Sequence, residues 1–332
     1  MTTHGDKEKR RLELSRMADG FRASHALLTA VHLGVFRILS DSPATASSIA
    51  KDLSLAQREL DLLLKALTGL DLLALDEDGR YRLHGLSDEF LRDGADGYMG
   101  DILHHNYHLM RRWARMDEVI SDGKPLPRKD GRSPSELRAF ILGMQNTARQ
   151  SAVEVGDALD LRGVRNILDL GGGPGTYLYT LLEKIPGAEG AILDFPEVIE
   201  IAREECPREL KERVTFLEGD IFEREYKGPW DLIVISNIIH SNTLDGIRAM
   251  IGKSAAALAP GGRIMVKDFF LDVSRTVPAE AALFSLNMMI SNPGRAYSED
   301  ELRHVLEAAG LDVVQRLGVG SHSGILVACK AG

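Results

Sequence analysis

The sequence predicts a doubly wound α/β domain preceded by an N-terminal all-helical region that ends as a winged helix, and three observations carry that expectation. From Val164 onward, short aliphatic runs alternate with amphipathic stretches: RNILDL, GAILDF, RVTFLEG, WDLIVIS and GGRIMVKDF read as strands with helices between them. That alternation belongs to a parallel sheet covered on both faces. The stretch LDLGGGPGTY, residues 168–177, runs from the first of these strands through a glycine-rich turn into a helix that begins near Tyr177. Ahead of residue 95 the apolar period is helical, and it closes in two short apolar runs around Asp78-Gly79.

In chain order, Leu60, Leu63, Leu64 and Leu67 recur at i, i+3, i+4 and i+7, giving one apolar stripe to a helix from Ala56 to Leu70 that follows the shorter TASSIAKDL helix. LLAL, DEDG and RYRL, residues 72–83, then read as strand, turn and strand, which completes the winged helix. The helix in the DNA-reading position carries Arg58 and Lys65 against Glu59 and Asp61 and has no net charge. Phosphate contact needs clustered Lys and Arg, so a structural or dimer-forming role is expected instead. Further helices follow between Gly94 and Ala158, broken by a loop at SDGKPLPRKDGRSP, residues 121–134. The expected division is residues 1–95 as the winged-helix domain, 96–157 as a helical linker and 158–332 as the sheet domain. In the linker, ILHHNYHLM brings His104, His105 and His108 close enough for two of them to share a helix face. Imidazoles at i and i+4 serve zinc and iron, but the segment offers no carboxylate or cysteine beside them, so no metal is expected. At the C-terminus LDVVQRLGV and HSGILVACK follow each other with no helix between, which predicts an antiparallel hairpin at the sheet edge.

Composition narrows the function. The chain has 332 residues, 44% of them hydrophobic, and a net charge of -9 that repels nucleic acid. Nothing approaches the ~20 apolar residues of a membrane span, and the start, MTTHGDKEKRRLELSR, is charged. Cys206 and Cys329 are the only cysteines and lack metal-type spacing, so a cytoplasmic, soluble protein without disulfides is expected.

The glycines ask what comes so close to the backbone that side chains are excluded. Their spacing, Gly171-x-Gly173-x-Gly175, is neither the G-x-G-x-x-G of dinucleotide binders nor a phosphate-cradling loop, and no lysine waits for a phosphate. Asp194 ends the second strand, where a carboxylate accepts ribose hydroxyls. Asp220 ends the third, placed to meet an adenine amino group with Ile221 and Phe222 as apolar neighbours. A nucleoside without phosphates fits all three loops.

With LDLGGGPGTY, ILDFPEV, VTFLEGDIF, DLIVISNIIH, APGGRIMVKDFF and NPGRAYSEDEL in this order, the chain resembles, over nearly its whole length, the class I S-adenosylmethionine-dependent methyltransferases. Within them it is most similar to the small-molecule O-methyltransferases related to caffeic acid and acetylserotonin O-methyltransferase. The resemblance implies a Rossmann-like sheet and a homodimer formed through the N-terminal domain. It also implies S-adenosyl-L-methionine held by Asp169, Gly171, Gly173, Gly175, Asp194, Phe195, Asp220, Ile221 and Ser236. His240 falls where the family places a histidine that takes the proton of the substrate hydroxyl, and Asp268 where a carboxylate orients it. His105, His108, Met144, Asn237, Ser285 and Met288 are the implied substrate-pocket residues, and no metal is implied.

Three positions depart from the family pattern: His240-Ser241-Asn242 replaces His-Asp-Trp, Ser236 stands where a lysine is common, and Ala296 where a second orienting glutamate is expected. One carboxylate partner for His240 limits the acceptor. A phenol near pKa ~10 lies roughly 3.5 units, or about 5 kcal/mol, above imidazole, whereas an alkanol near ~16 lies roughly 13 kcal/mol above it. A phenolic or enolic hydroxyl on a small aromatic or polyketide-like molecule is therefore expected. Methyl transfer to carbon, or a non-methylating reaction on the same fold, remains the alternative that the altered residues after His240 leave open. A winged-helix regulator would need the basic helix this chain lacks.

Overall fold

The computed structural model describes residues 4–127, 133–319 and 323–330, so residues 128–132 of the expected loop lie outside the described residues. The chain forms two compact units, Met1–Arg111 and Arg112–Gly332.

The N-terminal unit runs α1 (His4–Asp19), α2 (Phe21–Leu33), α3 (Val35–Asp41), β1 (Ala44–Thr45), α4 (Ala46–Asp52), α5 (Gln57–Gly69), β2 (Leu73–Leu75), β3 (Arg80–Leu83), α6 (Leu86–Phe90) and α7 (Gly100–Trp113), the last crossing its boundary. Thr45 caps α4 by accepting the Ser48 N–H at 3.2 Å. The stripe on α5 is buried as expected: Leu60, Leu64 and Leu67 sit in a core with Val35, Phe36, Ile49, Leu73, Tyr81 and Leu83, each fully buried leucine contributing about 1.5–3 kcal/mol. β2 and β3 pair antiparallel, Leu73 opposite Leu83, and Asp76 Oδ1 accepts the N–H groups of Asp78 and Arg80 to shape the turn. The charges of α5 are spent within the unit. Asp61 accepts from Lys65 Nζ at 2.7 Å and from the Tyr81 hydroxyl at 3.0 Å, and Arg58 pairs with Glu59 at 3.0 Å. Leu12, Leu14, Met17 and Phe21 on α1 and α2 are exposed within the single chain.

The C-terminal unit begins with α8 (Met116–Asp122) and the long α9 (Pro134–Ala158), which opens on a reciprocal Ser133–Glu136 capping box with proline in its first turn. Then follow β4 (Asn166–Leu170), α10 (Thr176–Lys184), β5 (Glu189–Asp194), α11 (Pro196–Glu205), β6 (Val214–Glu218), β7 (Trp230–Ser236), α12 (Leu244–Ala257), β8 (Leu258–Asp268), β9 (Phe270–Leu271), α13 (Ala279–Ser291), β10 (Tyr297–Ser298), α14 (Glu299–Ala308), β11 (Leu311–Val319) and β12 (Ser323–Lys330). The seven-stranded sheet has the order β11-β12-β8-β7-β4-β5-β6. β4 to β8 run parallel, while β12 pairs antiparallel with both β8 and β11. This is the doubly wound sheet with an edge hairpin that the sequence predicts.

Period-two alternation divides the strand residues between two faces. Ile167, Ile192, Leu232, Val234 and Met265 pack with Val155 of α9, Leu181 of α10 and Ile199 of α11. Leu168, Leu193, Ile233, Ile235 and Val266 pack on the other face with Met250 of α12 and Leu306 of α14. Parallel strands buried on both faces leave their carboxyl ends as the place where loops meet a ligand. Among the described residues no single helix is long and apolar enough to cross a membrane.

Candidate active site

The residues that the sequence marks come together at the carboxyl ends of β4, β5, β6, β7 and β8. After β4 the chain turns through Gly171, Gly173 and Gly175, at φ +59°, +56° and +84°, a region that favours glycine. A Cβ on Gly171 would meet only the end of the Ile238 side chain, so its positive φ is the main constraint there. Gly173 differs: no heavy atom lies within 4 Å of where its Cβ would stand, and the backbone there faces open space. Its N–H donates to Asp194 Oδ2 at 2.9 Å, and the Phe195 N–H donates to Oδ1 at 2.8 Å. Both oxygens of Asp194 are thereby aimed, and a carboxylate with about four lone pairs keeps capacity for two hydroxyl donors. Burial pushes the Asp194 carboxyl up, and the two N–H groups oppose the shift.

Asp169 lies on β4 with no exposure. Burial pushes its carboxyl up to about 8, with the Leu178 N–H opposing and Asp194 adding to the rise. The folded chain therefore holds this proton at neutral pH, while an unfolded aspartate releases it near ~3.9. Below that value both states are protonated; between it and about 8 only the unfolded state ionises, so this group's contribution to stability declines as pH rises. Asp169→Asn removes that decline. In denaturant unfolding of the ligand-free protein, the stability difference between variant and wild type is expected to shift in the variant's favour from pH 5 to pH 8; a difference independent of pH would contradict the assigned protonation.

Asp220 follows β6 and accepts the Phe222 N–H at 2.7 Å. Lys253 on α12 fixes this loop by donating to the carbonyls of Ile221, Phe222 and Arg224 at 3.2, 3.2 and 2.7 Å. Ile221 is partly buried against the sheet core, whereas Phe222 is exposed. At the end of β7, Ser236 Oγ is buried and has no hydrogen-bond partner among the described residues. Its register partner on β8 is Lys267, only 5% exposed, whose Nζ donates to Asn237 Oδ1 at 3.1 Å.

His240 sits in a single 3₁₀ turn, Ile239–Ser241, and is 8% exposed. Its Nδ1 lies 2.7 Å from Asp268 Oδ1, and its backbone N–H donates to Asp268 Oδ2 at 3.3 Å. Asp268, at the end of β8 and fully buried, also accepts the Phe269 N–H at 2.7 Å. With Asp268 as acceptor Nδ1 carries the hydrogen, and in a neutral imidazole Nε2 then presents a lone pair. Phe284 meets the imidazole edge-on, ring centroids 4.7 Å apart at 90°, and Phe269 packs on Phe284 at 4.5 Å. The β9–β10 pair brings residues 292–298 to this point. A Cβ on Gly294 would overlap the His240 carbonyl, which explains the glycine in NPGR. Within the altered motif, Asn242 turns back to donate to the Ile238 carbonyl at 2.9 Å, and its own carbonyl accepts the Tyr297 hydroxyl at 2.6 Å.

Ala296 is fully buried, and its N–H donates to Ser285 Oγ at 3.1 Å. Among the described residues Asp268 is the only carboxylate hydrogen-bonded to His240. Of the expected pocket residues, Ser285 is engaged with backbone on both sides, Met288 is buried with its sulfur 3.3 Å from Asn292 Nδ2, and Met144 is partly buried on α9. His105 and His108 lie on α7 in the N-terminal unit. The sequence reading missed Lys267, Phe269, Phe284 and Gly294. Lys267 and Phe269 flank Asp268 in MVKDFF, so strand pairing was the signal for them; Phe284, on a separate helix, left none.

Comparison with known proteins agrees with this fold. A family profile described as an O-methyltransferase domain matches residues 121–312, and one described as an O-methyltransferase dimerisation domain matches residues 15–93. The chain is 28% identical to 3-hydroxy-5-methyl-1-naphthoate 3-O-methyltransferase of Streptomyces sahachiroi, covering 96% of this chain and 95% of that one. It is 27% identical to the tetracenomycin polyketide synthesis 8-O-methyl transferase of Streptomyces glaucescens, covering 96% of each. Among solved structures, human N-acetylserotonin methyltransferase in complex with S-adenosylmethionine superposes with a TM-score of 0.86 at 25% identity over the full length of both chains. The mitomycin 7-O-methyltransferase superposes at 0.84, also at 25% identity, covering 99% of this chain and all of the other. With a domain profile spanning more than half of its residues and a second covering the winged helix, the chain belongs to the O-methyltransferase family.

Proposed function

We propose that the protein transfers the methyl group of S-adenosylmethionine to a phenolic or enolic hydroxyl of a small aromatic or polyketide-like molecule, with His240 as general base. The observation that carries this reading is the His240–Asp268 pair at the sheet edge that also presents the glycine loop and Asp194, which leaves Nε2 as the acceptor of a neutral imidazole. The cofactor fits the residues present: the open space over Gly173, the two aimed oxygens of Asp194 and the unpartnered Ser236 Oγ match a ligand with a ribose and no phosphates. When bound, it supplies a sulfonium methyl already activated toward a nucleophile.

The chain's own residues then do three things. Asp194 and the glycine backbone orient the nucleoside; Phe269 and Phe284 exclude water beside His240; and Nε2 takes the hydroxyl proton as the acceptor oxygen becomes the nucleophile. Asp268 holds the Nδ1–H tautomer and stabilises the imidazolium that forms, an arrangement suited to an acceptor within a few pKa units of imidazole. The two bacterial relatives methylate, by their names, a hydroxynaphthoate and a tetracenomycin polyketide, acceptors of this class. We further infer a homodimer built on residues 15–93, with the exposed apolar side chains of α1 and α2 available to it, and a cytoplasmic setting suited to the free Cys206 and Cys329.

The test is a panel of aromatic hydroxy compounds offered with methyl-labelled S-adenosylmethionine, the products read by mass spectrometry and the assembly by light scattering. An O-methyl product from a dimeric enzyme is expected. A C-methyl product, or no transfer to any phenol, would overturn the acceptor assignment.

A further inference from the structure

We propose that His32, His104 and His108 form a three-histidine site for a divalent transition-metal ion of the zinc class. The sequence brings together only the two histidines on α7, four residues apart, and supplies no further ligand. The fold supplies one: α2 places His32 beside them, and the three ligand nitrogens all lie within 4.8 Å of one another. His32 Nδ1 and His104 Nε2 are 3.4 Å apart. Zinc–imidazole bonds of ~2.0–2.1 Å at tetrahedral angles set neighbouring nitrogens about 3.3–3.4 Å apart. The His32–His104 spacing matches one edge of that tetrahedron, and the His108 nitrogen lies within 4.8 Å of both.

An imidazole lone pair lies in the plane of its ring, and a ligand ring can turn about its metal–nitrogen bond, so both near-parallel and crossed rings can share an ion; His32 and His104 lie 21° apart with centroids at 5.5 Å. His108 crosses His104 at 73° and His32 at 89°, with centroids 5.0 and 5.7 Å apart. His32 stacks on Tyr107 at 3.9 Å and 9°, with its Nδ1 3.4 Å from His104 Nε2. A hydrogen bond between the His32 and His104 rings also accounts for their 3.4 Å spacing; what points to an ion is the third imidazole nitrogen, of His108, within 4.8 Å of both.

The donor set selects the ion. Three imidazoles, with no carboxylate grouped with them among the described residues, favour Zn²⁺, Co²⁺, Ni²⁺ or Cu²⁺ and disfavour Mg²⁺ and Ca²⁺, which take oxygen ligands. His32 is exposed and the other two are half-buried, so a fourth position is open to water. Because α2 and α7 belong to the same unit, ligation would clip together helices whose ligands are 72 residues apart in the chain.

The experiment uses the full chain, stripped with chelator and titrated with Zn²⁺ by competition against a chromophoric chelator, and with Co²⁺ by visible absorption. One equivalent per chain and the intense d–d bands of tetrahedral Co²⁺ are expected, together with a rise in Tm on adding Zn²⁺ but not Mg²⁺. The chain has ten histidines, so His304→Asn, on α14, serves as the control and keeps wild-type affinity. His32→Asn and His108→Asn are expected to weaken Zn²⁺ by at least roughly tenfold and to abolish the tetrahedral Co²⁺ spectrum. Absence of that spectrum in the wild-type chain overturns the proposal without recourse to any variant. Equal affinity in wild type and both site variants overturns it as well.

Discussion

Gly173→Arg is expected to lose S-adenosylmethionine and S-adenosylhomocysteine binding by at least roughly 10²-fold, about 2.7 kcal/mol, while the chain stays folded. Two features of one residue set this expectation. Its φ of +56° is costly for any side chain, and the volume its Cβ would enter is empty of protein, which is the volume assigned to the ligand. The same backbone N–H fixes Asp194 Oδ2, so a displaced loop also releases the carboxylate assigned to the ribose. Titration calorimetry reads the affinity, and far-ultraviolet circular dichroism checks the fold. An unchanged heat of binding would place the cofactor elsewhere.

His240→Ala is expected to reduce turnover of a phenolic acceptor by ~10²–10⁴, about 2.7–5.5 kcal/mol of barrier, with little change in cofactor affinity. The split between kcat and binding matters. A residue that merely filled space beside Phe284 would alter acceptor affinity or stability, whereas a base acts in the transition state. Asp268→Asn should act in the same direction and more weakly. Its amide oxygen can still accept from His240 Nδ1 and Phe269 N–H, but the new NH₂ opposes the His240 backbone N–H at the Oδ2 position, and the charge that stabilises imidazolium is gone.

Much of this site was legible in the sequence because each part is local to one strand end. Gly171, Asp194, Asp220, His240 and Asp268 all occur just where an aliphatic run stops, and parallel strands carry all such positions to one edge. Periodicity also gave α5 to within a residue at each end, since the same stripe that marks it is the stripe it buries. What escaped depends on pairings that the linear order does not display. Lys267 serves Asn237 only because Ser236 and Lys267 share a register across β7 and β8. Phe284 reaches His240 from a helix forty-four residues later, and Gly294 is explained only by the carbonyl it passes. His104 and His108 were visible as neighbours on one helix, but the third imidazole beside them, His32, comes from another.

Turnover measured on phenols of graded acidity in wild type and His240→Ala tests most directly whether His240 removes the acceptor proton. For ordinary phenols near pKa ~10 the variant must wait for rare ionisation in solution, and the rate ratio should lie in the ~10²–10⁴ range. As the acceptor's own pKa approaches that of imidazole, ~6.5, the substrate arrives ionised and the base has nothing left to do, so the ratio should collapse toward one. A ratio that stays constant across the series would contradict the base assignment and leave His240 a packing residue beside a site that works by approximation alone.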